Sequence, residues 1–75
     1  MEKNELVKKD ICDLLSHYFG ENLSSSYFAG YGDETLPIYL HNAYLLLSNQ
    51  LGEDKSKQEI NEVLTHYSLS SIKYD

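Results

Sequence analysis

The sequence predicts an all-α protein, a compact four-helix domain that divides into two helical hairpins. Apolar residues recur at helical spacing in four segments, and Gly20 and Gly52 each follow the last apolar residue of a long segment. No segment alternates apolar and polar residues in the manner of a β-strand. A chain of 75 residues makes one domain. We expect an ordered core over about residues 4–68 and a frayed tail over 69–75.

The first predicted helix runs from about Lys3 to Phe19. At 100° per residue its large apolar side chains fall on one face and its charged side chains fall opposite. Gly20 marks its end, where a residue free to adopt positive φ is favoured. The apolar face consists of Val7, Ile11, Leu14, Leu15, Tyr18 and Phe19.

The second predicted helix, Glu21 to Gly30, is shorter and has a weaker signal. Leu23, Tyr27 and Tyr31 form a helical stripe, but three successive serines at 24–26 lower the helix propensity because their hydroxyls compete for the backbone. Two glycines in the next three residues predict a loop at 30–33.

The third predicted helix begins at the N-cap Thr35, accommodates Pro37 in its first turn and ends at Leu51, before Gly52. One apolar side of this helix is expected to pack on the core, and Ile38 and Leu45 lie on the opposite side. A helix that is apolar over more than half of its circumference is either central in the fold or covered by another chain. The core-facing set is Leu36, Leu40, Ala43, Tyr44, Leu47 and Leu51.

The fourth predicted helix begins at Ser56. Serine followed three residues later by Glu59 forms a capping box, in which each side chain satisfies a backbone donor of the other residue. Ile60, Val63, Leu64 and Tyr67 then supply the buried stripe.

The ends of the first and third helices resemble each other. The segments 14–22 and 46–54, offset by 32 residues, are identical at five positions, which include Gly20 and Gly52. An internal duplication that gave two similar hairpins would explain this match, although unrelated helix ends share similar patterns. Two such units are too few for a solenoid.

The charge balance excludes some classes of function. Twelve acidic residues against six lysines, with no arginine, give a formal net charge of −6. A protein that grips a nucleic-acid backbone needs the opposite balance, so we expect no nucleic-acid partner. No apolar run is long enough to span a membrane, and the start of the chain has no signal core, so we expect no membrane contact and a cytoplasmic location.

No residue pattern indicates catalysis, a cofactor or a metal site. His17, His41 and His66 lie on three different helices, and Cys12 has no partner histidine at helical spacing. The serine run 24–26 in a small acidic helical chain invites comparison with acyl carrier proteins, but it lacks their Asp-Ser-Leu motif. The acidic residues are dispersed and match no calcium loop.

The strongest functional signal is an apolar and aromatic patch on the outer side of the third helix. Seven tyrosines exceed what a small core needs, and tyrosine is common where one surface meets another. The predicted partner-binding residues are Ile38, Tyr39, His41, Leu45 and Tyr31.

The expected function is therefore that of a non-enzymatic protein–protein interaction module, such as a regulator, adaptor or inhibitor, that binds another protein or a second copy of itself. One alternative is a homodimer with a small-molecule site around His41 and Tyr44 at its seam. An acyl-carrier-like or DNA-binding domain is disfavoured.

Overall fold

Four helices account for nearly all of residues 2–69, the part of the chain that the computed structural model describes. They are α1 (Lys3–Phe19), α2 (Glu21–Tyr31), α3 (Leu36–Leu51) and α4 (Glu53–His66). No strand occurs within residues 2–69. The predicted all-α four-helix domain is confirmed. Within the same residues, no helix combines the length and the apolar character needed to cross a membrane.

A single glycine joins the two helices of each hairpin. The Gly20 N–H donates to the Ser16 carbonyl of α1, and the Gly20 carbonyl accepts from the Ser24 N–H of α2. Gly52 makes the same two bonds in the second hairpin. Both glycines have positive φ, 94° and 87°, with ψ near 165° (163° and 166°), a combination that is essentially restricted to glycine. Each joint therefore reverses the chain without a loop.

The start of α4 differs from the prediction. The helix begins at Glu53, directly after Gly52, and not at Ser56. Ser56 lies inside the first turn, where its Oγ donates to the Gly52 carbonyl at 2.6 Å, so the predicted capping box with Glu59 is wrong. The glycine joint begins the helix instead, and acidic residues in its first turn interact favourably with the helix dipole.

The core consists of residues from all four helices. The three buried residues of α1, Val7, Ile11 and Leu15, correspond under the offset of 32 residues to buried residues of α3, and the buried serines of α2 and α4 also correspond, but Leu40 and Tyr44 of α3 have no buried counterpart in α1. The two hairpins therefore share a joint and part of their burial pattern. The buried apolar residues are Val7, Ile11, Leu15, Tyr27, Tyr39, Leu40, Ala43, Tyr44, Leu47, Ile60 and Leu64.

Two tyrosine hydroxyls connect α1 to α4. The Tyr18 hydroxyl donates to the Glu59 carboxylate at 3.2 Å, and the Tyr67 hydroxyl donates to the Asp10 carboxylate at 2.7 Å. The bond to Asp10, followed by desolvation, raises the pKa of Tyr67 above its ordinary value. These contacts place α4 antiparallel to α1.

The N–H of Leu69 donates to the carbonyl of Leu64, and its side chain packs on the core. The rest of the tail that we expected to fray, 70–75, lies outside the described residues.

Candidate interaction surface

The exposed large apolar side chains of the described residues all lie on α2 and α3. None of them lies on α1 or α4. Scattered apolar residues on a surface are ordinary, but their confinement to two of the four helices separates one part of this small surface from the rest. The residues are Leu23, Phe28, Tyr31, Ile38 and Leu45.

The same two helices are almost free of charge. Between Asn22 and Gly52 the only charged residues are Asp33 and Glu34, which lie in the connection between α2 and α3. All of α3 is uncharged. Depletion of charge with exposed aliphatic and aromatic side chains is the composition of an interface core.

The outer surface of α3 is formed by Ile38, His41 and Leu45. Ile38 is 45% exposed and Leu45 is 47% exposed, and their spacing of seven residues puts them on one face of the helix. His41 lies between them, half-buried, with its ring 6.4 Å from that of Tyr44. Nearby, the Asn42 amide donates to the Ile38 carbonyl at 2.9 Å, so its side chain lies along the helix.

Tyr39 does not belong to this surface, so its assignment as a partner-binding residue is wrong. Its side chain has no exposed area, and its hydroxyl donates to the Lys8 carbonyl of α1 at 2.9 Å. The Tyr27 ring packs edge-on against it at 5.0 Å, and the Tyr27 hydroxyl donates to the Tyr39 carbonyl. Burial raises the pKa of both tyrosines above the ordinary value. Tyr39 is buried because a large side chain fills the space where α1, α2 and α3 meet.

Tyr31 is exposed as predicted, but it is the last residue of α2 and does not lie in a loop that begins at residue 30. Its ring is tilted against that of Tyr27 at 5.0 Å. Tyr31 therefore lies on a different helix from Ile38 and Leu45.

A groove between α1 and α2 was not predicted from the sequence. One part of it has a volume of about 430 Å³, and a second part, of about 190 Å³, shares Lys9 and Phe28 as walls. The Phe28 ring is 39% exposed within it. The other lining residues are Glu5, Lys8, Cys12, Asp13, Ala29, Gly32 and Asp33.

The remaining candidates for chemistry do not assemble into a centre. Among residues 2–69, no three histidine, cysteine or acidic side chains lie close enough together to hold a metal ion. His17 and His66 are exposed, and each packs edge-on against the tyrosine that follows it, at 5.0 Å. The Cys12 thiol is half-buried and donates to the Ser24 carbonyl at 3.5 Å.

Comparisons of the chain with protein-family models, with curated proteins and with solved structures give no significant match.

Proposed function

We propose that this chain is a protein–protein interaction module that binds its partner through the outer surface of α3. The observation that carries the proposal is the combination, on one uncharged helix, of two aliphatic side chains that remain nearly half exposed. Burial of such side chains is the main favourable term in association. His41 at the centre adds a polar group that can orient the partner.

The rest of the surface supports this choice. The lysines of the described residues lie on α1 and α4. On α4, Lys55 forms an ion pair with Glu59 at 3.3 Å. A charged surface around an uncharged face keeps the free protein soluble and directs association to that face. A cytoplasmic setting is part of the proposal and is supported by the single cysteine, which leaves the chain without an internal disulfide.

The test is the double variant Ile38→Asp with Leu45→Asp. We expect it to stay folded with its helicity largely intact, because both side chains are nearly half exposed, and to lose association. The matched control is Asn4→Asp with Thr65→Asp, which adds the same charge at exposed positions of α1 and α4. Circular dichroism measures folding, and affinity capture from the source cell, followed by mass spectrometry, measures association.

The proposal requires a protein that the wild type and the control capture and the double variant does not. Equal capture by all three would refute it, and unfolding of the double variant would show that these side chains stabilise the fold. Light scattering over a concentration series distinguishes a foreign partner from a second copy, because a dimer near twice 8.6 kDa that the double variant abolishes assigns the α3 surface to self-association.

A further inference from the structure

The two hairpins differ at one position that changes the shape of their outer sides. Under the offset of 32 residues, Cys12 of α1 corresponds to Tyr44 of α3. Tyr44 is buried against α4, and the Lys57 ammonium lies 5.9 Å from the centre of its ring. Cys12 is much smaller and leaves beside it the part of the groove that has a volume of about 190 Å³. The first hairpin therefore has no aromatic ring at the position where the second hairpin has Tyr44.

The residue across the groove differs in the same way. Phe28 of α2 corresponds to Ile60 of α4, which is fully buried, whereas the Phe28 ring is 39% exposed. The Phe28 ring also packs edge-on to Tyr39 at 6.4 Å, so it is anchored on one side and open on the other. An aromatic ring that enters the groove would meet the Phe28 ring, and aromatic pairs at such distances attract each other.

The rim of the groove carries one more acidic than basic side chain. The Lys8 ammonium is occupied by the carbonyls of Gly32, at 2.8 Å, and Glu34. The rim holds three carboxylates, those of Glu5, Asp13 and Asp33, against the two ammoniums of Lys8 and Lys9, and within residues 2–69 none of these carboxylates forms an ion pair. Together with a net charge of −6, this rim attracts positive charge.

We propose that the α1–α2 groove binds a basic segment of another protein and receives one aromatic side chain from it beside Cys12 and Phe28. The aromatic ring takes the place that Tyr44 occupies in the second hairpin, and basic residues on either side of it face Glu5, Asp13 and Asp33. This surface is separate from the α3 surface, so the proposal does not depend on the function proposed above.

The probes are synthetic amphipathic helical peptides of about 15 residues, a length that spans a two-helix groove. One has lysines around a central Trp, a second has the Trp replaced by Ala, and a third has the lysines replaced by Glu. We expect only the first to shift the amide resonances of Lys9, Cys12 and Phe28 in a titration followed by NMR. The same resonances should shift in the variant Ile38→Asp with Leu45→Asp, because neither residue lines the groove.

Two variants examine the groove directly. Cys12→Tyr fills the space as Tyr44 does in the second hairpin, and we expect it to weaken the Lys/Trp peptide at least about tenfold, a clear change in binding free energy. Asp13→Lys reverses a charge on the rim without a change in packing, and its matched control is Asp54→Lys, the same change on an exposed position of α4. We expect a severalfold loss from the first charge reversal and little from the second.

Several results would overturn the proposal: no resonance shift with the Lys/Trp peptide, equal binding of the Glu peptide, or equal losses from the two charge reversals, which would indicate attraction to net charge alone. A dimer that Cys12→Tyr abolishes would assign the groove to a second copy instead. If Cys12→Tyr fails to fold, the comparison of Asp13→Lys with Asp54→Lys still decides.

Discussion

Replacement of Tyr39 by alanine provides the sharpest test of the packing. The prediction compares Tyr39→Ala with Tyr31→Ala, since one residue has no exposed area and the other is 40% exposed. A third variant, Tyr39→Phe, removes only the hydroxyl. Sequence reasoning put both tyrosines on the binding surface, and on that basis neither alanine variant would affect folding.

The magnitudes follow from what each side chain contacts. Loss of a fully buried aromatic ring costs about 3–5 kcal/mol, because apolar contacts are lost and a cavity remains. The whole domain, at 75 residues, has a stability of roughly 4–11 kcal/mol. Tyr39→Phe gives up one hydrogen bond, to the Lys8 carbonyl, and should cost about 1 kcal/mol. Tyr31→Ala should cost less than about 1 kcal/mol, as changes on the surface generally do.

Urea unfolding followed by far-UV circular dichroism measures all three variants. We expect Tyr39→Ala to be largely unfolded without denaturant or to unfold at the lowest urea concentration, with Tyr39→Phe between it and the wild type. The denaturant slope of Tyr39→Phe should stay unchanged, since its folded and unfolded states expose the same surface. If Tyr39→Ala proves as stable as Tyr31→Ala, then Tyr39 is not at the centre of the core, and the packing described here is wrong.

Two further predictions concern the joints and the buried hydroxyls. Gly20→Ala and Gly52→Ala should each destabilise the domain by about 1–3 kcal/mol in the same urea assay, because alanine is strained at their φ values. Gly30→Ala, in a helix with open space around it, should stabilise by about 0.5–1 kcal/mol, and a loss of stability there would contradict the helical assignment. Alkali should unfold the protein, because burial raises the pKa of Tyr27 and Tyr39 while the unfolded chain titrates near pH 10. The stability due to these two groups is complete below pH 10 and falls above it by up to about 1.4 kcal/mol per pH unit for each, so tyrosinate absorbance that reached completion without any loss of helicity would contradict their burial.

Helix positions could be predicted from the sequence because each helix has a regular apolar spacing and a glycine or loop at its end. The start of α4 was predicted too late, because Ser56 and Glu59 match a capping box while the helix begins at Glu53, directly after Gly52. The competing signal was the acidic pair at Glu53 and Asp54, which is typical of a first helical turn.

The candidate site was predicted only in part, because exposure depends on what the other helices cover. Ile38 and Leu45 lie opposite the core-facing side of α3, and this periodicity was sufficient to place them at the surface. Tyr39 lies at the edge of the core-facing side of α3. At such a position, the space left by the neighbouring helices determines whether the side chain is buried or exposed. The groove was not predicted, although the sequence contains one signal for it. Under the offset of 32 residues, the small Cys12 stands where the second hairpin has the large Tyr44.

The single-glycine joints also bear on how quickly the chain folds. Because one residue separates the helices of each hairpin, their pairing requires almost no loop closure, and the chain needs a long-range search only to bring α1 against α3 and α4. Helical proteins dominated by local contacts fold in microseconds to milliseconds. A main refolding phase slower than about a second in stopped-flow would contradict this expectation. Rapid folding shortens the period in which the apolar faces of α2 and α3 are exposed together with an unformed core, and so it limits aggregation of a chain that retains apolar side chains on its surface.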